Sequence, residues 1–216
     1  MARSKNGNPQ DASGKIANLV YYKLNGQWVV RTIGVRKKPF TPAEIANQEK
    51  YRIVNSLLSD VGKMYQVGFE RAAKGTVNNA HNLAFKKNLK AVEGVYPNQY
   101  INFSKVAISK GKMPIVENAK VTYRDGHLDF TWDTEWSVEK KQFYDDQVML
   151  MAYYPSDGQT FHEKAGAKRA EGKASLALSP YPGKDTIVHV YLSFISNDRK
   201  RISNSIYMGA VDISGQ

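Results

Sequence analysis

At Lys110-Gly111-Lys112-Met113-Pro114 the hydrophobic rhythm of the chain changes, and this change limits the available folds more than any other feature. Before it, apolar residues recur at the spacing of helical turns; after it, they fall in short alternating runs. A period of about 3.6 residues and a period of about two belong to different kinds of layer. The chain must therefore join helices to antiparallel sheet as an α+β protein, with the Gly- and Pro-containing "KGKMP" as the seam. Two domains are expected, residues 1–113 and residues 114–216.

Downstream of the seam come "AKVTY", Asp125-Gly126, "HLDFTW", a charged loop, "DQVMLMAYY", Pro155-Ser156-Asp157-Gly158, "QTFHE", "ASLAL", Pro182-Gly183, "TIVHVYLSFI" and "SNSIYMGAV". About seven such runs in roughly 100 residues, separated by turn chemistry, indicate an antiparallel β-sandwich.

Upstream, "LVYYKLNGQWVVRTI" (Leu19–Ile33) sets two β-rich arms around Asn25-Gly26, a dipeptide that can fill both positive-φ positions of a type I′ turn. With that turn, Lys23 faces Trp28, Tyr21 faces Val30, Tyr22 faces Val29 and Val20 faces Arg31. A lone hairpin is marginal in water, so it should dock on the helices or on another chain. Thr41-Pro42-Ala43-Glu44 has the residues of a capped helix start. Ile45, Ile53, Leu57, Val61, Met64 and Tyr65 follow at helical spacing, predicting a helix over about residues 42–71 that bends near Gly62. "AKGTVNNAHNLAFKKNLKAVEG" predicts a second, antiparallel helix, capped by Thr76 and ending at Gly94, with Val77, Ala80, Ala84 and Ala91 on one face. A strand is expected near Tyr100–Ile108.

The net charge of +11 is unevenly spread: residues 1–113 hold 19 Lys/Arg against 6 Asp/Glu, and residues 114–216 hold 12 against 14. The first half therefore suits an anionic partner, whether nucleic acid, an acidic protein face or the second half of another copy. Lys15, Lys23, Arg31, Arg36, Lys37 and Lys38 are the candidate anion-binding residues. Tyr21, Tyr22 and Trp28 are the candidate aromatic contacts, because nucleic-acid binders set phosphate-neutralising cations beside rings that stack on bases. The competing reading is internal: the rings cover the helices, and Lys23 lies over Trp28 as a cation–π pair. An isolated strand pair needs its rings for its own stability, which favours packing and leaves a binding edge from Arg31 to Lys38. In the second half, "KRAEGK" (Lys168–Lys173) and the tip Arg199, Lys200 and Arg201 read as basic turns, the tip being a secondary candidate.

Signals of covalent chemistry are thin. There is no cysteine, which removes disulfides, thiol catalysis and zinc–thiolate sites. His81, His127, His162 and His189 show no metal-ligand spacing. Asp145-Asp146 is the sole adjacent carboxylate pair, and strand neighbours point to opposite faces, so the two would not share a proton or a metal. No Gly-rich phosphate loop and no G-x-S-x-G elbow occurs. No metal or cofactor is expected, and no small-molecule substrate is evident. No run of about 18 apolar residues would span a membrane, and "MARSKNGNPQDASGK" lacks the apolar segment of a signal peptide.

The second half resembles a fibronectin type III domain. "HLDFTW" stands as the second strand with Trp132 as its core aromatic, and "PGKDTIVHVYLSFISNDRKRISNS" is similar to that family's Pro-Gly turn, long sixth strand, turn and Ser-rich seventh strand. Thr186 falls where that family usually has the tyrosine of its corner. Over nearly all its length the chain also resembles an uncharacterised family of Bacteroidota proteins, a domain of unknown function, through "ARSKNG", "GKIANLVYYKLNGQWVVR" and "SNDRKRISNSIYMGAV". These resemblances imply an N-terminal β-hairpin plus two-helix module followed by a fibronectin type III-like antiparallel β-sandwich; they imply no activity.

The expected function is that of a non-enzymatic structural or interaction protein, a subunit of a larger assembly such as a phage or mobile-element particle, located in the cytoplasm or in that particle. The alternative is sequence-independent nucleic-acid binding by the basic half. A protein partner or self-assembly is expected first, nucleic acid second.

Overall fold

The computed structural model describes residues 13–24, 27–134, 143–178 and 186–214, and its helices and antiparallel sheets make the chain an α+β protein. The chain forms two compact units, Met1–Pro42 and Ala43–Gln216. The division expected after Met113 is not where the units part, because the helices and the sandwich share one core.

The first unit is a three-stranded antiparallel sheet of β1 (Gly14–Ile16), β2 (Leu19–Leu24) and β3 (Gln27–Thr32) in that order. Lys23 pairs with Trp28, Tyr21 with Val30, Tyr22 with Val29 and Val20 with Arg31, the register that a turn at Asn25-Gly26 requires. That turn itself lies outside the described residues. Strand β1 is an addition to the expected hairpin: three residues are too few to show alternation in the sequence. It pairs with the start of β2 around a turn in which Ala17 takes a positive φ of 50°.

In the second unit the long predicted helix is two, α1 (Pro42–Asp60) and α2 (Gly62–Ala73), parting at Val61 beside the expected bend. Helix α3 (Ala80–Asn88) starts later than predicted. Asn79 is its cap, the side chain accepting from Asn82 N at 2.8 Å, a local bond that satisfies one of the amides orphaned at a helix start. Thr76 instead closes the turn behind α2, donating to Ala73 O at 2.8 Å, and Val77 is fully exposed rather than on the packed face. The strand expected over Tyr100–Ile108 shrinks to β5 (Tyr100–Ile101), paired with β4 (Val92–Glu93). Buried Asn88 replaces the missing ladder: Nδ2 donates to Ala84 O at 3.0 Å and Ala107 O at 2.9 Å, and Oδ1 accepts from Ala107 N at 2.8 Å.

All seven runs beyond the seam form strands: β6 (Lys120–Arg124), β7 (His127–Thr131), β8 (Gln147–Tyr153), β9 (Thr160–Glu163), β10 (Lys173–Ala177), β11 (Ile187–Ile195) and β12 (Ile206–Asp212). They make two antiparallel sheets, ordered β10-β7-β6 and β12-β11-β8-β9. Val148, Leu150 and Ala152 of β8 pack with Leu128, Phe130 and Leu176 of the three-stranded sheet. The alternate residues Met149, Met151 and Tyr153 pack with Leu58, Met64 and Phe69 of the helices. The four-stranded sheet is thus a middle layer, with helices on one face and the second sheet on the other. Gly68 allows the close approach this needs. A Cβ there would collide with the Ile108 carbonyl, and without one Lys110 N reaches Gly68 O at 3.0 Å.

Candidate anion-binding surfaces

Directly paired residues share a face of a sheet, so the register divides the candidates between two faces. Lys15, Val20 and Arg31 form one row across the three strands, with Tyr22 and Val29 as the next pair. Tyr21, Lys23, Trp28 and Val30 lie on the other face with Ile16 and Leu19. Lys15, Lys23, Arg31, Lys37 and Lys38 are exposed, and Tyr21 and Tyr22 are half-buried. Lys23 Nζ stands 5.7 Å from the Trp28 ring centre, the expected cation–π pair.

The rings make no core within this unit. Trp28 is 42% exposed, with Ile16 at 46% and Val30 at 51% on the same face, and no described residue of this unit is buried. Arg36 is engaged by its own loop. Its Nε donates to Lys38 O at 2.7 Å, its Nη2 donates to Pro39 O at 3.1 Å, and its guanidinium lies 4.1 Å from the Phe40 ring centre. It shapes the turn that presents Lys37 and Lys38.

The secondary tip gains neighbours that the sequence does not announce. The segment over residues 110–113 runs beside the chain that follows β11. Met113 N donates to Ile202 O at 3.1 Å and Gly111 N to Asn204 Oδ1 at 3.2 Å, and no Cβ would fit at Gly111 against the Ile202 carbonyl. Arg71, near the end of α2, donates from Nε to Lys200 O at 3.2 Å. Between these three segments lies a cleft of about 630 Å³. Arg71, Lys110, Lys112, Lys200 and Arg201 line it, and no carboxylate among the described residues does. Its apolar lining includes Met113, Pro114, Phe143 and Ile202. The Arg201 guanidinium lies 5.2 Å from the Phe143 ring centre, and Lys200 Nζ is 3.8 Å from Asp198 Oδ2. Arg199 turns elsewhere, donating to Lys164 O at 3.3 Å and Gln147 Oε1 at 2.9 Å.

Several other titratable groups are held by contacts within the fold. "KRAEGK" is not simply a solvated basic turn, since Arg169 is wholly buried 3.9 Å from buried Asp146 and 4.1 Å from the Phe194 ring centre. Burial pushes the guanidinium down to about 10, against the pull of Asp146, and holds the Asp146 carboxyl above its ordinary range, against the pull of Arg169. Trp132 Nε1 donates to Arg169 O at 2.8 Å, and Asp145 pairs with Lys168 at 3.0 Å, away from Asp146's partner. His189 stacks on Phe103 at 3.9 Å and shares a 2.8 Å hydrogen bond with the Tyr207 hydroxyl; burial lowers its pKa. Burial, then Lys164 and Lys63, lowers that of His162. His81 packs against Tyr65, and His127 Nδ1 meets Asp125 O at 2.8 Å. Among the described residues no three His, Asp or Glu are placed to hold a metal, and no helix is long and apolar enough to cross a membrane.

These features define an α+β protein with a doubly covered central sheet, a small cationic sheet unit and a cationic cleft. The chain belongs to the Family of unknown function (DUF6266), whose model matches residues 11–209. No curated protein and no solved structure matches the chain.

Proposed function

We propose that the chain is a non-enzymatic structural or interaction protein, a subunit that assembles with further copies of itself into a larger body. A phage or mobile-element particle, or the cytoplasm in which one is built, is the setting this reading assigns. The observation that carries it is the β1–β3 sheet. A sheet with no buried residue among those described shows no core of its own, and Ile16, Trp28 and Val30 give it an apolar face suited to a partner surface. Residues 1–42 hold 8 Lys/Arg against one Asp, which favours a contact face richer in acids, such as the net-negative residues 114–216 of another copy. A fibronectin type III-like arrangement of the two sheets belongs to the same reading. It is supported by sheets of three and four strands around a shared core that includes Trp132 at the end of the second strand, Trp132 being 5% exposed.

Light scattering after size-exclusion chromatography tests the proposal on the full chain and on the double variant Trp28→Asp/Val30→Asp. The expected result is an oligomer for the wild type and a folded monomer for the variant. A wild type that stays monomeric at every concentration overturns it. Sequence-independent nucleic-acid binding is the second reading, favoured by the Lys15–Val20–Arg31 row beside Tyr22. A chain that shifts neither DNA nor RNA on a gel at low salt removes that reading, since phosphate neutralisation is strongest there.

A further inference from the structure

We propose that the cleft between the end of α2, the segment over residues 110–114 and the β11–β12 turn binds a nucleoside di- or triphosphate, free or as the polyphosphorylated 5′ end of a strand. Five cationic residues reach this cleft from three segments distant in sequence: Arg71, Lys110 with Lys112, and Lys200 with Arg201. The walls that carry them are fastened by the Met113–Ile202, Gly111–Asn204 and Arg71–Lys200 hydrogen bonds, so the charges cannot simply spread apart. No described lining residue is an acid, and Asp198 beside Lys200 offsets only part of the five charges; the rest repel one another, and an anion relieves that repulsion.

The charge count selects the ligand class. Asp198 faces Lys200 and lies in the field of Arg201, which still leaves Arg71, Lys110 and Lys112 for a ligand. One carboxylate would balance too few of these, whereas each phosphate brings roughly one to two negative charges and several acceptor oxygens. Two of the cations are guanidiniums held in place, Arg71 by the Lys200 carbonyl and Arg201 against the Phe143 ring, and a fixed planar fork suits phosphate. Met113, Pro114, Phe143 and Ile202 form an apolar wall for a flat, uncharged body such as a base. The volume of about 630 Å³ lies within the usual span of small-ligand sites. The described lining offers no carboxylate to a magnesium ion. A metal on the phosphates would therefore compete with the cleft instead of bridging to it.

Isothermal titration of the full-length protein with ATP, adenosine and inorganic triphosphate tests this, with and without magnesium. ATP should bind, adenosine should not, inorganic triphosphate should bind more weakly than ATP, and magnesium should weaken ATP binding. Lys112→Glu and Arg201→Glu, each confirmed as folded by thermal melting, should lower ATP affinity about tenfold or more. Lys120→Glu/Lys173→Glu, exposed on the β10-β7-β6 sheet and outside the cleft lining, should leave it unchanged. Binding that requires magnesium, that is weakened equally by the Lys120/Lys173 reversal, or that is absent overturns the proposal. Strand probes identify the source. A 5′-triphosphorylated strand that outbinds both ATP and the same strand with a 5′ hydroxyl assigns the cleft to strand ends, and ATP as the tighter ligand assigns it to free nucleotide. Equal binding of the two strands, both tighter than ATP, shows backbone electrostatics and overturns the proposal. None of these outcomes depends on whether the chain self-assembles.

Discussion

The β1–β3 sheet and the β12-β11-β8-β9 sheet are built from the same kinds of residue, yet no described residue of the first is buried, whereas the two central strands of the second are covered on both faces. Every residue of β8 from Val148 to Tyr153 and of β11 from Val190 to Ile195 is buried. No described residue of the small sheet is. Turn chemistry and cross-strand pairing are enough to set register, as the Lys23–Trp28 pairing shows, but they do not supply cover. Folding stability therefore concentrates in the central sheet. The small sheet keeps its apolar face for whatever completes it.

The contrast breaks if changes in the covered layers prove mild. Arg169→Ala leaves Asp146 buried beside a void and should cost about 3–5 kcal/mol in urea unfolding, the range for removing one partner of a buried ion pair. The paired change Arg169→Met/Asp146→Leu should recover most of that loss, because neither charge remains to be desolvated. Next comes Asn88→Ala, which strips the part-buried N–H and C=O of Ala107 of their partner, the buried Asn88 side chain. A loss of about 2–3 kcal/mol is expected, with faster hydrogen exchange at the Ala107 amide.

The same contrast explains what could be read from the sequence. The seven strands of the second half were legible because turn residues bound them; Asp125 and Gly126 do take the positive φ values, 47° and 76°, that such a turn needs. The shared core was also signalled, though the seam at "KGKMP" hid it. "VMLMAYY" and "VYLSFI" do not alternate, and a strand apolar on both sides is one covered on both sides. Gly111 proved to mark a close approach to Ile202 rather than a hinge. Thr76 and Asn79 are both residue types that cap helices, and it is the Asn79 side chain that accepts from an early α3 amide. Of the cleft, only the Lys200–Arg201 tip was legible in the sequence; Arg71, Lys110 and Lys112 join it through folding, across separations no motif spans. Buried Arg169 was equally silent, since an arginine in a turn looks solvated until a partner such as Asp146 closes over it.

A pH measurement sharpens the comparison from the side of the central sheet. Tyr153 of β8 donates its hydroxyl proton to Asp60 Oδ2 at 3.1 Å, at the end of α1. Burial raises the Asp60 pKa above its ordinary 3.8; Tyr153 opposes the rise and Asp157 adds to it. The folded state therefore holds this proton more tightly than the unfolded state does. The stabilisation it gives is present at acid pH and is lost as pH climbs from the ordinary value through the raised one. Asn keeps an acceptor for Tyr153 and carries no charge. Asp60→Asn should thus gain on the wild type as pH rises across that window, read as the difference between their denaturant midpoints. A difference that stays flat, or that shrinks with rising pH, would show that the α1–β8 junction is not desolvating the carboxyl.

The smallest stability effect is the most discriminating one. Trp28→Asp or Val30→Asp changes a residue roughly half exposed, in a unit whose described residues include none that is buried, so no buried residue of that unit loses a neighbour. Unfolding of the monomer should shift by no more than about 0.5 kcal/mol, as for surface positions generally. Self-association, measured on the same samples, should be lost. A Trp28 or Val30 variant that is destabilised by several kcal/mol would mean that these side chains already have cover within one chain. One that is neither destabilised nor impaired in association would leave the apolar face without a role and remove the contrast between the two sheets as an account of how the protein works.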